Sequence, residues 1–355
     1  MPLFAVQVEN LRCLRSADLQ LDPQLTVITG PNASGKTSLL EAVFFLGRGR
    51  SFRSRQAERL IRTGAEALTV IGHVENTHRP IVIGIRATRE RTEARIAGSP
   101  IDSLAPLASA FPVQVIDPGV HKLVEEGPAG RRRALDWGVF HVERRFAADW
   151  QRYQRALKQR NAALRSQLAA ASVRAWDPEL ISAGSAMTDA RSRYAARLQP
   201  VVRRIASDLA DVDLTIAMSQ GWPVDESFGG ALERAWVQDC KAATTTVGPH
   251  RADLRIRVEG YLARDRVSRG QQKLVAAALV LAQLEVLQET SGMAGTLLLD
   301  DPAAELDGSR LRRLLEAATK LGAQLIATAT SEGIVGLENP GARFHVEQGA
   351  VTRML

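Results

Sequence analysis

The segment GPNASGKT at 30–37 combines residue types and spacing that suit phosphate chemistry. It follows the pattern G-x-x-x-x-G-K-[ST] between a β-rich run and an apolar helical run. Glycines at both ends let backbone N–H groups wrap around phosphates, Lys36 supplies positive charge to the β and γ oxygens, and Thr37 offers a hydroxyl to Mg²⁺. The sequence therefore predicts a site for ATP and Mg²⁺ rather than a plain glycine turn. The loop residues of this site are Gly30, Pro31, Asn32, Ala33, Ser34, Gly35, Lys36 and Thr37.

A carboxylate-bearing segment, TLLLDDPAAELD, occupies 296–307. Its apolar run is typical of a buried strand, and two aspartates follow at the carboxyl end, where α/β sheets bind their ligands. Asp300 is placed to hold Mg²⁺, directly or through water, and Asp301 is placed to polarise an attacking water. If the segment stood alone, a strand that ends in two solvated aspartates would be the favoured interpretation. The glycine loop elsewhere in the chain favours the site.

A third segment, VSRGQQK at 267–273, precedes a long apolar helical run and the aspartate-bearing strand. It resembles the signature loop of ABC ATPases, in which such residues bind the γ-phosphate of ATP held by a second subunit. By this resemblance the phosphate-binding residues are Ser268, Gly270 and Gln271. The resemblance implies an ATP-dependent homodimer, with Asp307 crossing the interface. In isolation, a serine cap and a glycine before a helix are common.

The order of these motifs indicates a split ATPase head. A simple P-loop enzyme places its glycine loop and its acidic strand within one or two βα units, whereas here they stand near opposite ends of the chain. This arrangement is similar to that of the ABC ATPases that handle DNA, the SMC and Rad50-like group.

Four further strings make the chain resemble the RecF family of ABC-type DNA repair and replication proteins. They are GRGRSFRS at 47–54, GPAGRRRALDW at 127–137, LKQRNAALR at 157–165 and TVGPHRADLRI at 246–256. No generic structural reason predicts these strings together. The resemblance implies a head with a short helical arm, ATP-dependent dimerisation and slow hydrolysis. It also implies binding to single-stranded and duplex DNA at gaps, and cooperation with RecR and RecO in loading RecA during repair and the SOS response.

The residue at position 301 predicts a weak ATPase. Asp301 stands where transporters and Rad50 place glutamate, and its shorter side chain should hold the attacking water poorly. The strand QLIATAT has no histidine where many ABC ATPases keep their switch histidine, so γ-phosphate sensing would fall on Thr328 or Thr330 or be absent. Gln114, in the strand FPVQVID, is the candidate for the lid glutamine that contacts Mg²⁺ and the water, although a glutamine in a strand is usually structural.

Basic clusters suit contacts with the DNA backbone. The candidate residues are Arg48, Arg50, Arg53 and Arg55 in one cluster and Arg131, Arg132 and Arg133 in another. A solvated or salt-bridged surface is the alternative for each cluster. Because aromatic residues are not interleaved with the arginines, we expect contacts without sequence specificity rather than base stacking.

The elements that must position these motifs are predicted from hydrophobic periodicity. Strand-like runs dominate the first third, amphipathic helices follow, and alternating strands and helices return near the carboxyl end. The fold class is therefore α/β, with residues 1–125 and 240–355 forming the ABC-type head and residues 126–239 an inserted helical arm domain. Pro200 should kink or end the second arm helix, and the ending HVEQGAVTRML should form a hairpin with its turn at Gln348 and Gly349.

Composition limits the partners and the location. A net charge of +7 favours polyanions. The two cysteines have no neighbours that suggest a metal site or a disulfide framework. With no predicted signal peptide or bilayer-spanning run, we expect a cytoplasmic protein with no membrane partner.

Three alternatives come from other classes. The ATPase module of a transporter would share the nucleotide motifs, but the basic balance, the helical insert and Asp301 disfavour it. An SMC or Rad50-type tether needs far longer heptad-patterned segments than this insert. A small-molecule kinase would show a close pair of motifs and no signature loop.

Overall fold

The computed structural model describes residues 2–54, 56–75, 80–304, 306–330 and 340–354. The chain divides into two compact units. The first contains Met1–His121, Asp208–Ala210 and Lys273–Leu355, and the second contains Lys122–Ser207 and Asp211–Gln272.

The strands, in chain order, are β1 (Leu3–Leu11), β2 (Leu14–Gln20), β3 (Leu25–Thr29), β4 (Ala67–Val74), β5 (Ile81–Thr88), β6 (Thr92–Ile96), β7 (Ser99–Pro100), β8 (Val113–Ile116), β9 (Leu214–Ser219), β10 (Asp253–Val258), β11 (Tyr261–Leu262), β12 (Thr296–Leu299), β13 (Gln324–Ala329), β14 (Ala342–Glu347) and β15 (Ala350–Met354). The helices are α1 (Lys36–Arg48), α2 (Ala105–Ala110), α3 (Lys122–Glu125), α4 (Pro128–Val142), α5 (Phe146–Arg165), α6 (Ala170–Arg174), α7 (Asp177–Ala210), α8 (Phe228–Ala242), α9 (Ala263–Arg266), α10 (Arg269–Ser291) and α11 (Gly308–Lys320).

The first unit is built on two sheets that share a core with α1. One sheet is antiparallel, in the order β2-β1-β4-β5-β6-β7, and the other has the order β15-β14-β3-β13-β12-β8. The second sheet is parallel from β14 to β8, with β15 antiparallel at its edge. Its strands come from both ends of the chain, which confirms the predicted split α/β head. Almost every residue of α1 is buried because apolar side chains of both sheets pack around it.

Gln324 joins the two sheets of the first unit. Its side chain is almost fully buried, and its amide oxygen accepts from Leu3 N at 2.9 Å and from Thr296 Oγ1 at 3.1 Å. Its amide nitrogen donates to Leu3 O at 2.7 Å and to Asp22 O at 2.9 Å. The glutamine therefore satisfies buried polar groups of β1 and β12 that would otherwise be costly.

The second unit combines helices α4 to α8 with a three-stranded antiparallel sheet in the order β11-β10-β9. The compact unit begins at Lys122 and reaches Gln272, whereas the predicted arm ended at 239. The difference arises because β10 pairs with β9 along its whole length and brings the later segment into the unit. The exact domain boundaries stay a prediction.

The helix α7 does not end at Pro200, contrary to one of the two expected outcomes. Proline removes the hydrogen bond to the carbonyl of Ala196. The helix continues because Leu198 and Val202, two positions to either side of the proline, are fully buried. Packing of that face offsets the missing bond.

A buried ion network organises the helices of the second unit. The guanidinium of Arg160 is fully buried and donates to Asp177 Oδ1 at 2.7 Å, to Asp239 Oδ2 at 2.7 Å and to Thr245 Oγ1 at 2.8 Å. The carboxylate of Asp239 is itself fully buried and also accepts from Thr246 N at 2.8 Å. Each charge therefore has a partner, which a buried ion requires.

His250 belongs to the same region. Its Nε2 donates to Thr245 O at 2.9 Å, so Nδ1 accepts the hydroxyl proton of Tyr153 at 2.6 Å. Burial lowers the pKa of His250 to about 4, which keeps the ring neutral at pH 7. The strings LKQRNAALR and TVGPHRADLRI thus have a structural reason to occur together, since Arg160 and His250 share Thr245.

Helix α10 is the one helix among the described residues that is long and apolar enough to cross a membrane. However, 72% of its apolar stretch is buried inside the structure. Such burial is typical of a core helix.

Candidate nucleotide-binding site

The glycine loop lies between β3 and α1, as predicted. Gly30 and Gly35 have φ angles of 145° and 119°, which glycine adopts readily. A Cβ on Gly30 would lie 2.1 Å from Val346 O, and one on Gly35 would lie 2.9 Å from Cys13 Sγ. Both the backbone angles and the close neighbours therefore require glycine, and the loop is held as an open cradle at the amino end of α1.

Lys36 folds back over this cradle. Its Nζ donates to Gly30 O at 2.6 Å and to Pro31 O at 2.8 Å. Burial lowers the pKa of Lys36, and the nearby carboxylates of Asp301 and Asp300 partly offset that effect. The ammonium group is thus held at the mouth of the loop, where a phosphate would displace carbonyl partners.

Thr37 connects the loop to the end of the acidic strand. Its Oγ1 donates to Asp300 Oδ1 at 2.9 Å, so residues far apart in sequence meet in one site. The same carboxylate oxygen lies 3.1 Å from Thr328 Oγ1 of β13. Burial raises the pKa of Asp300, and the hydrogen bonds from Thr37 and Thr328 act in the opposite direction. A hydroxyl beside a desolvated carboxylate is a fitting pair of oxygen ligands for Mg²⁺.

Asp301 adopts a left-handed backbone conformation, with φ 47°. Its N–H donates to Thr328 Oγ1 at 2.8 Å, which fixes the backbone at the turn after β12. Its Oδ1 is buried and has no hydrogen-bond partner among the described residues. A strained residue with an unsatisfied carboxylate oxygen is typical of a functional position.

Ser34 shows the same property inside the loop. Its Oγ is buried and has no hydrogen-bond partner in the described part of the chain. The site thus has one unsatisfied polar atom in the glycine loop, Ser34 Oγ, and one after the acidic strand, Asp301 Oδ1. The residues present therefore fit a phosphate group and a Mg²⁺ ion, although no group of three or more His, Cys, Asp or Glu side chains that could hold a metal occurs among the described residues.

The hairpin β14–β15 supports the glycine loop, and the sequence did not indicate this role. Its turn falls at Gln348 and Gly349, as predicted, and both have positive φ angles. Gly349 N donates to Ser34 O at 2.9 Å. Val346 also presents its carbonyl to Gly30, as described above, so the hairpin fixes the loop from one side.

A basic cavity of about 600 Å³ opens in the first unit beside α1. Arg12 and Arg53 lie in its wall. Arg12 forms a two-pronged ion pair with buried Glu41, with both N–O distances 3.0 Å, and Ser51 Oγ donates to the same carboxylate. Arg53 is exposed and close enough to lower the pKa of Asp300. The sequence assigned Arg53 to DNA, whereas the structure places it near the acidic strand.

Gln114 is not brought to this site. It pairs with Leu297 in the interior of the sheet, before the carboxyl end of β8, and its Nε2 donates to Gln283 Oε1 of α10 at 2.8 Å. This placement is that of a structural glutamine. Its catalytic role stays a prediction that the hydrogen bonding does not support.

The signature segment begins α10 with a reciprocal cap. Ser268 N donates to Gln271 Oε1 at 3.1 Å, and Gln271 N donates to Ser268 Oγ at 3.4 Å. Asp307 caps α11 in a similar way, because its Oδ1 accepts from Arg310 N at 3.0 Å. Both residues are exposed, so their side chains start helices while facing solvent.

The predicted switch residues differ in exposure. Thr328 is fully buried behind Asp300, so its hydroxyl cannot reach a phosphate. Thr330 is exposed at the end of β13. Only Thr330 of this pair is therefore placed for the predicted sensing role.

The arginines predicted to contact DNA separate into buried and exposed groups. Burial lowers the pKa of Arg48 to about 9, and its guanidinium lies 5.6 Å from the Phe44 ring centroid. Arg131 is buried and donates to both carboxylate oxygens of Asp253, at 2.8 and 3.1 Å, which argues against a DNA contact. Arg132 is partly buried and donates to a carbonyl oxygen. Exposed candidates are Arg50, Arg53 and Arg133, while Arg55 lies outside the described residues.

Comparison with known proteins agrees with this architecture. The family model described as the RecF/RecN/SMC N terminal domain matches residues 2–351. DNA replication and repair protein RecF of Shewanella pealeana is 38% identical over 357 aligned positions, covering 99% of both chains. Its counterpart from Shewanella frigidimarina is 39% identical with the same coverage.

Solved structures give the same result. The recombination mediator protein RecF with ATP in the RecFOR pathway superposes with a TM-score of 0.91 and 27% identity, covering 100% of this chain and 98% of that one. An SMC head bound to the C-winged helix domain of ScpA gives a TM-score of 0.62 at 15% identity, which shows a shared fold. The chain belongs to the RecF family, ABC-type ATPases whose heads share the SMC fold.

Proposed function

We propose that this protein is a cytoplasmic, ATP-controlled DNA-binding protein of recombinational repair and replication-fork maintenance. The hydrogen bond between Thr37 and Asp300 carries the proposal, because it unites the glycine loop with the acidic strand. Lys36, at the mouth of the loop, would bind the β and γ oxygens of ATP. A bound Mg²⁺ would supply further positive charge to those oxygens.

Hydrolysis is proposed to be slow and to act as a switch. Asp301 would orient the attacking water through its unsatisfied oxygen. Its side chain is short and its position depends on one buried threonine, so small displacements would weaken catalysis. We expect a turnover well below ~1 per second, the lower end of the range for ordinary enzymes.

Dimerisation is proposed to require ATP. Ser268, Gly270 and Gln271 would complete the site of a second copy, with Asp307 at the interface. The exposed serine and the amino end of the long helix α10 are suited to an incoming phosphate. ATP would then stabilise the dimer by binding the associated state more tightly than the separate protomers.

The proposed partners are single-stranded and duplex DNA at gaps, without sequence specificity. RecR and RecO are proposed partners in loading RecA, because relatives are named as DNA replication and repair proteins and a similar structure belongs to the RecFOR pathway. The net charge of +7 favours DNA.

The decisive experiment is binding to a labelled gapped duplex, measured by fluorescence anisotropy with ATP and then with ADP at one salt concentration. We expect clearly tighter binding with ATP. Lys36→Ala should abolish ATP binding, dimerisation and the nucleotide effect on DNA together. Equal binding with the two nucleotides, or ATP-dependent dimers of the Lys36→Ala variant, would contradict the proposal.

A further inference from the structure

The second unit contains a basic pocket that the nucleotide motifs do not use. Its volume is about 270 Å³. The residues that carry the argument are Arg131, Asp253, Arg255, Arg257, Leu262 and Arg264. This group is called the β10 basic pocket below.

The pocket follows from the alternation of β10. Asp253, Arg255 and Arg257 share one face of the strand, while Leu254 and Ile256 are buried. Because side chains two residues apart on a strand point the same way, the two arginines stand ~7 Å apart along it. The sheet thus presents two cations in a row.

The neighbouring elements add to this charge. Leu262 of β11 pairs with Arg257 and contributes apolar surface to the pocket. The short helix α9 follows and brings Arg264 to the rim. Three separate elements, β10, β11 and α9, therefore converge on one basic cavity.

The acidic groups at the pocket do not neutralise it. Asp253 is occupied by the two-pronged ion pair with buried Arg131. Asp265 lies 3.3 Å from Arg264, but both side chains are more than half exposed, so that pair is weak. Among the described residues, Arg255 has no hydrogen bond or ion pair. The pocket therefore keeps excess positive charge.

The size and geometry of the pocket indicate its ligand. At about 270 Å³ it is slightly below the range of pockets that hold whole small molecules, and it suits a single anionic group. Guanidinium groups bind phosphate oxygens through paired hydrogen bonds. Successive cations along a strand also match the repeated phosphates of a nucleic-acid backbone better than one isolated anion.

We propose that the β10 basic pocket binds the phosphodiester backbone of DNA through Arg255, Arg257 and Arg264. This inference rests on the proposed function, since it assigns a surface for the DNA that the protein would bind. It replaces Arg131, which the sequence suggested, with two arginines of β10 and one of α9. Arg131 instead supports the pocket from within by neutralising Asp253.

The test compares two double variants of equal charge. Arg255→Gln/Arg257→Gln removes the strand cations, and Arg155→Gln/Arg165→Gln removes two exposed arginines of α5. Binding of a labelled gapped duplex is measured by anisotropy with ATP over a series of salt concentrations. Thermal unfolding of each variant checks that the fold is intact.

We expect the pocket variant to reduce the slope of log K against log salt by ~1.8, because each phosphate contact contributes ~0.9. At about 0.1 M salt this corresponds to ~60-fold weaker binding. The α5 variant should bind within about threefold of the original protein. Arg255→Lys should keep the slope, since lysine retains the charge, but should weaken binding through loss of the planar fork.

The outcomes separate the two proposals. If the original protein binds DNA but the pocket variant and the α5 variant bind it equally well, this inference is wrong and the proposed function stands. A pocket that binds an acidic peptide instead of DNA would give that result. If the original protein does not bind the duplex with ATP, the proposed function itself fails. A selective loss in the pocket variant supports both.

Discussion

Substituting Thr328 with valine tests whether the threonine positions Asp301, the aspartate proposed to orient the attacking water. The two side chains have nearly the same shape, so the change removes a hydroxyl and leaves little cavity. The hydroxyl accepts the N–H of Asp301 at 2.8 Å and lies 3.1 Å from Asp300 Oδ1. Because Thr328 is fully buried, water cannot replace these bonds.

The expected magnitudes follow from these contacts. An unsatisfied buried N–H costs about 1–3 kcal/mol, and the left-handed backbone of Asp301 is held only by its surroundings. The free energy of unfolding should therefore fall by ~1–3 kcal/mol. A displacement near 1 Å of the carboxylate would lower kcat by ~100-fold. ATP affinity should change by less than about threefold, because Lys36 and the glycine loop make none of these bonds.

Single-turnover hydrolysis of labelled ATP and equilibrium ATP binding separate the two effects. Thr328→Ser is the matched control, because it keeps the hydroxyl and should retain most of the activity. A kcat of the valine variant within about threefold of the original would refute the positioning role. So would a serine variant as impaired as the valine variant, since a purely packing role predicts that result.

Three other predictions concern buried ionisable side chains. Asp300→Asn should abolish Mg²⁺-dependent hydrolysis but raise the midpoint of thermal unfolding at neutral pH. The pKa of Asp300 is raised in the fold, so the ionised carboxylate opposes folding at pH values above that pKa. The gain in the thermal midpoint should therefore disappear as the pH falls below ~4, the ordinary pKa of aspartate. The pKa of His250 is lowered to about 4 in the fold. Protonation of this histidine in the unfolded chain should therefore lower the free energy of unfolding by up to ~3 kcal/mol as the pH falls from ~6.5 to ~4. Denaturant titrations of His250→Asn should lack this pH-dependent loss of stability. Arg160→Met should cost ~3–5 kcal/mol by chemical denaturation, because Asp239 would remain buried without its cation, and a loss below about 1 kcal/mol would contradict that account.

Local sequence was sufficient for the parts of the site that depend on one segment. The glycine loop and the two aspartates are each defined by a strand end and its neighbours, so their placement could be predicted. The hairpin turn at Gln348 and Gly349 was predictable for the same reason, since turn chemistry is local. These features need no knowledge of which strands become neighbours.

Features that depend on strand register could not be predicted in this way. Thr328 reaches Asp300 because Ala327 pairs with Leu299 in parallel strands joined through α11, and no local pattern specifies that register. Gln114 depends on register in the same way: its strand lies beside β12 but the residue stops short of the carboxyl end, and its catalytic role stays a prediction. The sequence identified the strand and not the depth of the side chain within the sheet.

The prediction of which arginines contact DNA was limited for a different reason. Charge alone did not distinguish Arg131 from Arg133, although they occupy opposite environments on α4. Arg131, Leu135 and Val139 follow a spacing of four residues and are all buried. That helical stripe was the available signal that Arg131 faces inward.

The contact between Gly349 and Ser34 has a consequence for synthesis of the protein. Translation produces the glycine loop early, but the hairpin that fixes it emerges only after nearly all of the sequence shown. A nascent chain at intermediate length therefore has the phosphate-binding residues without their support from Gly349 and Val346. The glycine loop therefore reaches its supported form only after residues 346–349 have been synthesised and the hairpin has folded onto it.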